Sequence, residues 1–138
     1  GTLRTTSAHY DAVKAFTVAM GQPVGEDITS LETGGLLIMR MDLIEEEALE
    51  IADELPGVFT NRTQEAIDKA AFTKELADLL YVTYGMAVTF GLPLDEVFER
   101  VHRSNMSKLD DNGKPIYRED GKVLKGPNYE KPNLDDLF

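Results

Sequence analysis

The chain has 138 residues, 42% hydrophobic and 28% charged, which is enough for one domain with one core. Its net charge of −11 argues against nonspecific nucleic-acid binding, and its lack of cysteine excludes disulfides and thiol chemistry. No signal peptide or membrane span is recognisable, so we expect a cytoplasmic protein that does not bind membranes.

The first two predicted helices flank a loop. Ser7 is a suitable N-cap for a helix from about Ala8 to Met20, stopped by Gly21. A loop over 22–30 leads to a second helix, from about Thr33 or Gly35 to Leu55. The residues predicted to face the core are Ala12, Val13, Phe16 and Ala19 in the first helix, and Leu37, Met41, Ile44, Ala48, Ile51 and Leu55 in the second.

Two more helices and a short extension follow. The third helix is predicted to start at Thr63 and reach Phe90, and Asp78 is its only charge after Glu75, so this part should be buried almost all round. The fourth runs from Pro93 to about Ser107, with its apolar side formed by Leu94, Val97, Phe98 and Val101. We therefore predict a single all-α domain over 1–138, a four-helix bundle with its helical core over about 8–108 and an extension over 109–138.

The extension has no helical period. Asp120-Gly121 lies between two short apolar segments, which favours a small β-hairpin. A solvated surface extension is equally compatible with the composition. Half of the fourteen Lys and Arg residues lie between Arg103 and Lys131, so this end is the more basic part of an acidic chain.

Two acidic motifs lie inside apolar helical patterns. Glu46, Glu47 and Glu50 belong to the second helix, and Glu75 and Asp78 to the third. Carboxylates on an apolar helix face cost several kcal/mol unless a cation compensates them. A cage of oxygen ligands suits Mg²⁺ or Mn²⁺. Acidic runs such as 45–47 are also common on solvated helix faces, and we expect that of Glu45 itself.

The histidines bear on the choice of metal. The chain has two, His9 and His102, and both fall outside the acidic motifs. Zinc sites usually include histidine or cysteine, and di-iron bundles use Glu-x-x-His pairs. This pattern counts against both kinds of site.

The two motifs resemble the signature of the MazG-like all-α nucleoside triphosphate pyrophosphohydrolases, which is Glu-Glu-x-x-Glu followed by Glu-x-x-Asp. This superfamily includes phosphoribosyl-ATP pyrophosphohydrolase and dimeric dUTPases. The segments ELADLLYVTYG, VFERVHRSNMSKL and DGKVLKGPNY are similar to its phosphoribosyl-ATP pyrophosphohydrolase-like single-domain branch. The resemblance extends over about 11–132.

The resemblance implies a MazG-like bundle that hydrolyses a nucleoside triphosphate to the monophosphate and pyrophosphate, with two or three Mg²⁺ or Mn²⁺ ions per site. dGTP, GTP or dUTP would be the leading substrates. Glu46 would orient or deprotonate the attacking water. The metal ligands would be Glu47, Glu50, Glu75 and Asp78, and the substrate-binding residues Asn105, Lys108, Lys122 and Lys125.

The sequence leaves alternatives for the oligomeric state, for two tyrosines and for the function. The apolar third helix and the resemblance both predict a homo-oligomer, either a dimer or a tetramer. Tyr81 and Tyr84 are either core residues or walls of a base pocket. The 22–30 loop and the start of the second helix are our hypothesis for a selective wall. Two alternatives to the main function remain: hydrolysis of phosphoribosyl-ATP, and a noncatalytic helical module with a structural ion.

Overall fold

A computed structural model describes residues 5–55 and 67–138. Within these ranges there are four α-helices and a two-stranded antiparallel sheet, which confirms the all-α class and the small hairpin. The elements are α1 (Ala8–Ala19), α2 (Gly34–Asp53), α3 (Lys69–Thr89), α4 (Leu94–Met106), β1 (Ile116–Tyr117) and β2 (Val123–Leu124), with single 3₁₀ turns at Leu31–Thr33 and Asp135–Leu137.

The described residues fall into two compact units. Residues 6–92 form the first unit, with α1 to α3, and residues 93–138 with Thr5 form the second. The single domain expected from the sequence stays a prediction. No single helix in the described ranges is long and apolar enough to span a membrane, although α3 and α4 taken together reach the required length and hydropathy.

Helix α1 begins and ends as predicted. The Ser7 hydroxyl accepts a hydrogen bond from the Tyr10 amide at 3.0 Å, and Gly21 ends the helix with a φ of 68°. The predicted packing face is confirmed at Val13, which is buried, but Thr17 is buried in place of Phe16, which is 46% exposed. Thr17 tolerates burial because its hydroxyl donates to the Val13 carbonyl at 2.7 Å. The predicted core residues Ala12 and Ala19 are exposed.

Helix α2 buries a slightly different stripe from the predicted one. Arg40 is only 6% exposed, whereas Met41 is 43% exposed and Ala48 is also exposed. The half-buried positions on either side of Arg40 are Leu37, Ile44, Glu47 and Ile51. Their spacing of three and four residues is that of one helix face. Apolar character alone predicted that Met41 and Ala48 face the core. In the structure, Arg40 and Glu47 lie on the buried side of the helix instead.

Helix α3 packs against both α1 and α2. The predicted start at Thr63 lies outside the described residues; the helix begins at Lys69, capped by Asp68, whose carboxylate accepts from the Ala71 amide at 3.1 Å. Its buried residues all lie in the last part, at Gly85 and over 87–90. The prediction of burial all round is wrong for the earlier turns, where Leu76, Leu80 and Tyr81 are 41–48% exposed in the single chain.

In the second unit, the chain after α4 folds back onto the end of that helix. The Gly126 amide donates to the Lys108 carbonyl at 2.8 Å, and the Ser104 hydroxyl donates to the Glu130 carbonyl at 2.8 Å. A Cβ at position 126 would lie 2.5 Å from the Lys108 carbonyl oxygen, so this approach requires glycine. The buried residue of α4 is Ser104, whereas Phe98, predicted to face the core, is 68% exposed.

The hairpin lies where the sequence predicted it. Ile116 pairs with Leu124, and Tyr117 pairs with Val123. Gly121 has a φ of 84° in the connecting turn, a conformation that favours glycine. The 109–138 extension is therefore an ordered part of the second unit.

Candidate metal centre

Four carboxylates meet between α2 and α3. Glu47 and Glu50 come from α2, and Glu75 and Asp78 come from α3. One oxygen from each lies within 4.8 Å of the other three. A spacing of three residues places both carboxylates of each pair on one side of their helix. The structure therefore brings together all four residues predicted as metal ligands.

Two of these carboxylates are incompletely satisfied. Glu47 Oε2 and Glu75 Oε2 are both buried and have no hydrogen-bond partner among the described residues. Buried carboxylate oxygens are normally hydrogen-bonded or bound to a cation. Burial raises the pKa of Glu75, and the adjacent Glu50 raises it further, because each effect disfavours the ionised form.

One ammonium group lies at the edge of the cluster. Lys74 Nζ is 2.7 Å from Asp78 Oδ2 and 3.6 Å from Glu75 Oε1. The Lys74 side chain is 66% exposed, so much of its charge is solvated. Among the described residues, Lys74 forms no ion pair with the α2 carboxylates, and it leaves the buried oxygens of Glu47 and Glu75 without a partner.

This donor set fits a hard divalent cation. The four closest ligand atoms are all carboxylate oxygens, the type that Mg²⁺ and Mn²⁺ prefer. A bound cation would offset the repulsion between the carboxylates and give the two buried oxygens a partner. Neither histidine belongs to this cluster of the described residues.

The predicted catalytic residue, Glu46, lies beside the cluster. It is exposed, and it is not one of the four carboxylates whose oxygens converge. Adjacent residues on a helix differ by about 100° in direction, so Glu46 cannot share the direction of Glu47. Glu45 is exposed, as expected for a solvated position.

The predicted substrate-binding residues belong to the second unit. Asn105 is exposed near the end of α4, and Lys108 is half-buried just after that helix. Lys122 and Lys125 flank β2, and both are exposed. Lys125 Nζ lies 4.7 Å from the centre of the Tyr129 ring, in cation–π geometry. Their roles stay predictions.

Sequence reasoning missed Arg40. This residue lies seven positions before Glu47, two helical turns away on nearly the same face of α2. Its Nη2 donates to Gln22 Oε1 at 2.9 Å, and its Nε is buried without a partner among the described residues. Burial lowers the pKa of Arg40. The available signal was an arginine between Leu37 and Ile44, inside an apolar stripe.

A sequence model of phosphoribosyl-ATP pyrophosphohydrolase matches residues 13–105. The match covers more than half of the chain, including all five motif carboxylates. The chain belongs to the phosphoribosyl-ATP pyrophosphohydrolase family. This membership confirms the expected relation to the MazG-like superfamily.

Two further similarities accompany the family match. The uncharacterized protein L479 of Acanthamoeba polyphaga mimivirus is 30% identical, over 55% of this chain and 46% of the viral protein. The chain thus spans about half the length of that relative. A crystal structure named "putative NTP pyrophosphohydrolase", from Exiguobacterium sp. 255-15, covers 93% of this chain and 90% of its own, at 21% identity and a TM-score of 0.46. A likeness at that score adds no weight to the functional assignment.

Proposed function

We propose that this member of the phosphoribosyl-ATP pyrophosphohydrolase family hydrolyses a nucleoside or deoxynucleoside triphosphate to the monophosphate and pyrophosphate, with dGTP, GTP or dUTP as leading substrates. The observation that carries the proposal is the convergence of Glu47, Glu50, Glu75 and Asp78 within 4.8 Å, two of them with buried, unpartnered oxygens. Burying such a cluster is costly for the fold unless a cation compensates it. A role in binding metal accounts for that cost.

The same four carboxylates would hold the two or three Mg²⁺ or Mn²⁺ ions that we propose. When bound, such ions neutralise phosphate charge and make water a stronger nucleophile. The chain would supply the geometry, because α2 and α3 each fix two ligands at helical spacing. Lys74 already binds the edge of the cluster and would hold Asp78 in place.

Glu46 is the proposed general base for the attacking water. Its exposed carboxylate lies next to the ligand Glu47 in sequence but is not among the converging ligands, so it would be free to accept a proton from the attacking water. Asn105, Lys108, Lys122 and Lys125 carry the amide and ammonium groups suited to phosphate oxygens. We propose that they hold the substrate while pyrophosphate leaves.

We also propose a homo-oligomer, either a dimer or a tetramer, in the cytoplasm. Support for the assembly comes from the first half of α3, where Leu76, Leu80 and Tyr81 are each more than 40% exposed in the single chain. The ring of Phe16 packs edge-on against Tyr81, with their centres 5.7 Å apart, and extends this apolar surface.

Two paired substitutions test the assignment. Glu47→Gln removes one converging carboxylate, whereas Glu45→Gln removes a neighbouring exposed one and serves as the control. We expect Glu47→Gln to abolish release of monophosphate and pyrophosphate, and Glu45→Gln to leave it nearly unchanged. Equal activity of the two variants would contradict the proposal.

Phosphoribosyl-ATP is the second candidate substrate, and the description of the matched family favours it. The same metal centre would serve that reaction. Turnover of phosphoribosyl-ATP in preference to every nucleoside triphosphate would replace the proposed substrate. Metal binding with no turnover of either substrate would instead favour the noncatalytic module with a structural ion.

A further inference from the structure

Arg40 is a buried cation that the proposed reaction does not use. It is 6% exposed, and the only hydrogen bond it makes among the described residues joins Nη2 to Gln22 Oε1, at 2.9 Å. Gly85 on α3 makes room for it, because a Cβ there would lie 2.9 Å from Arg40 Nη1. Burying a guanidinium with so few partners is costly. The cost suggests a function for the arginine.

The contact fixes how the Gln22 amide is oriented. A guanidinium has only hydrogen-bond donors, so it must face the amide oxygen of Gln22. The amide nitrogen, Nε2, then points away from Arg40 with its two hydrogens. Gln22 is exposed, and no described residue accepts a hydrogen bond from Nε2. Arg40 therefore makes Gln22 a fixed donor at the surface.

Arg40, which holds this donor, lies on the same side of α2 as the metal centre. Along α2, Glu47 and Arg40 are two turns apart, about 10 Å, on nearly the same face. Along α3, Asp78 and Gly85 are also seven residues apart, and Gly85 contacts Arg40. The two helices thus run antiparallel. The contact between Arg40 and Gly85 lies about two helical turns from the carboxylate cluster.

The loop that carries Gln22 is bonded to α3 just beyond Gly85. The amides of Gly25 and Glu26 donate to the carbonyls of Val88 and Thr89, at 3.1 Å and 2.7 Å. These contacts fasten the loop to the carboxyl end of α3. A nucleotide with its phosphates at the carboxylates and its base towards the amino end of α2 would bring that base to the level of Arg40 and Gln22.

We propose that Arg40 is a positioning residue that holds Gln22 as a donor to a carbonyl oxygen of the substrate base, and so selects keto bases over amino bases. This inference rests on the proposed function and gives its selectivity a cause. Guanine and uracil present a carbonyl where adenine and cytosine present an amino group. An amino group would place a second donor opposite the Gln22 donor, so neither group would have a hydrogen-bond partner, which disfavours binding of that base.

The test measures a ratio, the kcat/KM for dGTP and dUTP over that for dATP and dCTP. Gln22→Glu keeps a partner for Arg40 but has no donor when ionised, so it should lower this ratio by about 10- to 100-fold. Arg40→Met frees the amide to rotate and should bring the ratio towards unity, with Arg40→Lys in between. Lys14→Met, a charge removal on an exposed face of α1, is the control and should leave the ratio unchanged.

Calorimetry with non-hydrolysable α,β-methylene analogues of the four nucleotides, with Mn²⁺, separates this inference from the proposed function. Keto analogues that bind more tightly in the wild type but not in Gln22→Glu would support the inference, even if no nucleotide is hydrolysed. A wild-type preference for amino bases, or a keto preference unchanged in Gln22→Glu and Arg40→Met, would overturn it while leaving the hydrolysis intact. Failure to bind or hydrolyse any nucleotide would overturn both. Comparing dGTP with dUTP then identifies the base.

Discussion

Adding one methyl group at Gly85 should destabilise the protein, although glycine is a poor helix former. Replacing a helical glycine by alanine normally stabilises by about 1 kcal/mol. At position 85, however, the new Cβ would lie 2.9 Å from Arg40 Nη1 and displace the guanidinium. Losing the hydrogen bond between Arg40 and Gln22 costs about 1.5–3 kcal/mol, because one partner is charged. The net loss for Gly85→Ala is therefore about 0.5–2 kcal/mol.

Two further variants complete this test. Gly35→Ala is the matched control, since its Cβ would meet nothing within 4 Å, and it should stabilise by up to about 1 kcal/mol. In an Arg40→Met background, Gly85→Ala should become stabilising too, with a coupling of about 1.5–3 kcal/mol. Urea denaturation with an unchanged m-value measures each free energy of unfolding. An equal cost of Gly85→Ala with and without Arg40 would refute the reasoning.

Three other predictions concern the metal centre. Asp78→Asn should abolish turnover yet leave the metal-free protein at least as stable in urea, because it relieves carboxylate repulsion; a large loss of stability would indicate a structural role. Glu46→Gln should slow turnover strongly while sparing calorimetric Mn²⁺ affinity more than Glu47→Gln does, and an equal loss of affinity would make Glu46 a plain ligand. Because the folded state raises the pKa of Glu75, it holds that proton more tightly than the unfolded state. Stability in EDTA should therefore fall as pH rises from the ordinary value of 4.5 through the raised pKa; a Glu75→Gln variant with the same pH profile would contradict this.

Local chemistry made several features predictable from the sequence. Ser7 and Gly21 bound α1 because a hydroxyl cap and a left-handed residue are local requirements. Asp120-Gly121 located the hairpin for the same kind of reason. The four converging carboxylates followed from helical spacing and from the cost of burying charge.

Other features depend on packing between distant segments. Arg40 is buried because Gly85 leaves space for it and Gln22 accepts its hydrogen bond, and neither neighbour is adjacent in sequence. Thr17 replaces Phe16 in the core because a hydroxyl bonded to its own helix behaves as a small, satisfied group. A hydrophobicity scale ranks arginine and threonine as less buried than phenylalanine. A pattern of apolar positions therefore could not predict the burial of Arg40 or Thr17.

The most direct test of the central claim is a product assay on a panel of dGTP, GTP, dUTP, dCTP, dATP and dTTP, each with Mg²⁺, Mn²⁺ or EDTA. We expect equal amounts of monophosphate and pyrophosphate with either metal, no products in EDTA, and the fastest turnover with dGTP, GTP or dUTP. Absence of products from every nucleotide with both metals, or turnover that persists in EDTA, would contradict the assignment of the carboxylate cluster as a catalytic metal centre.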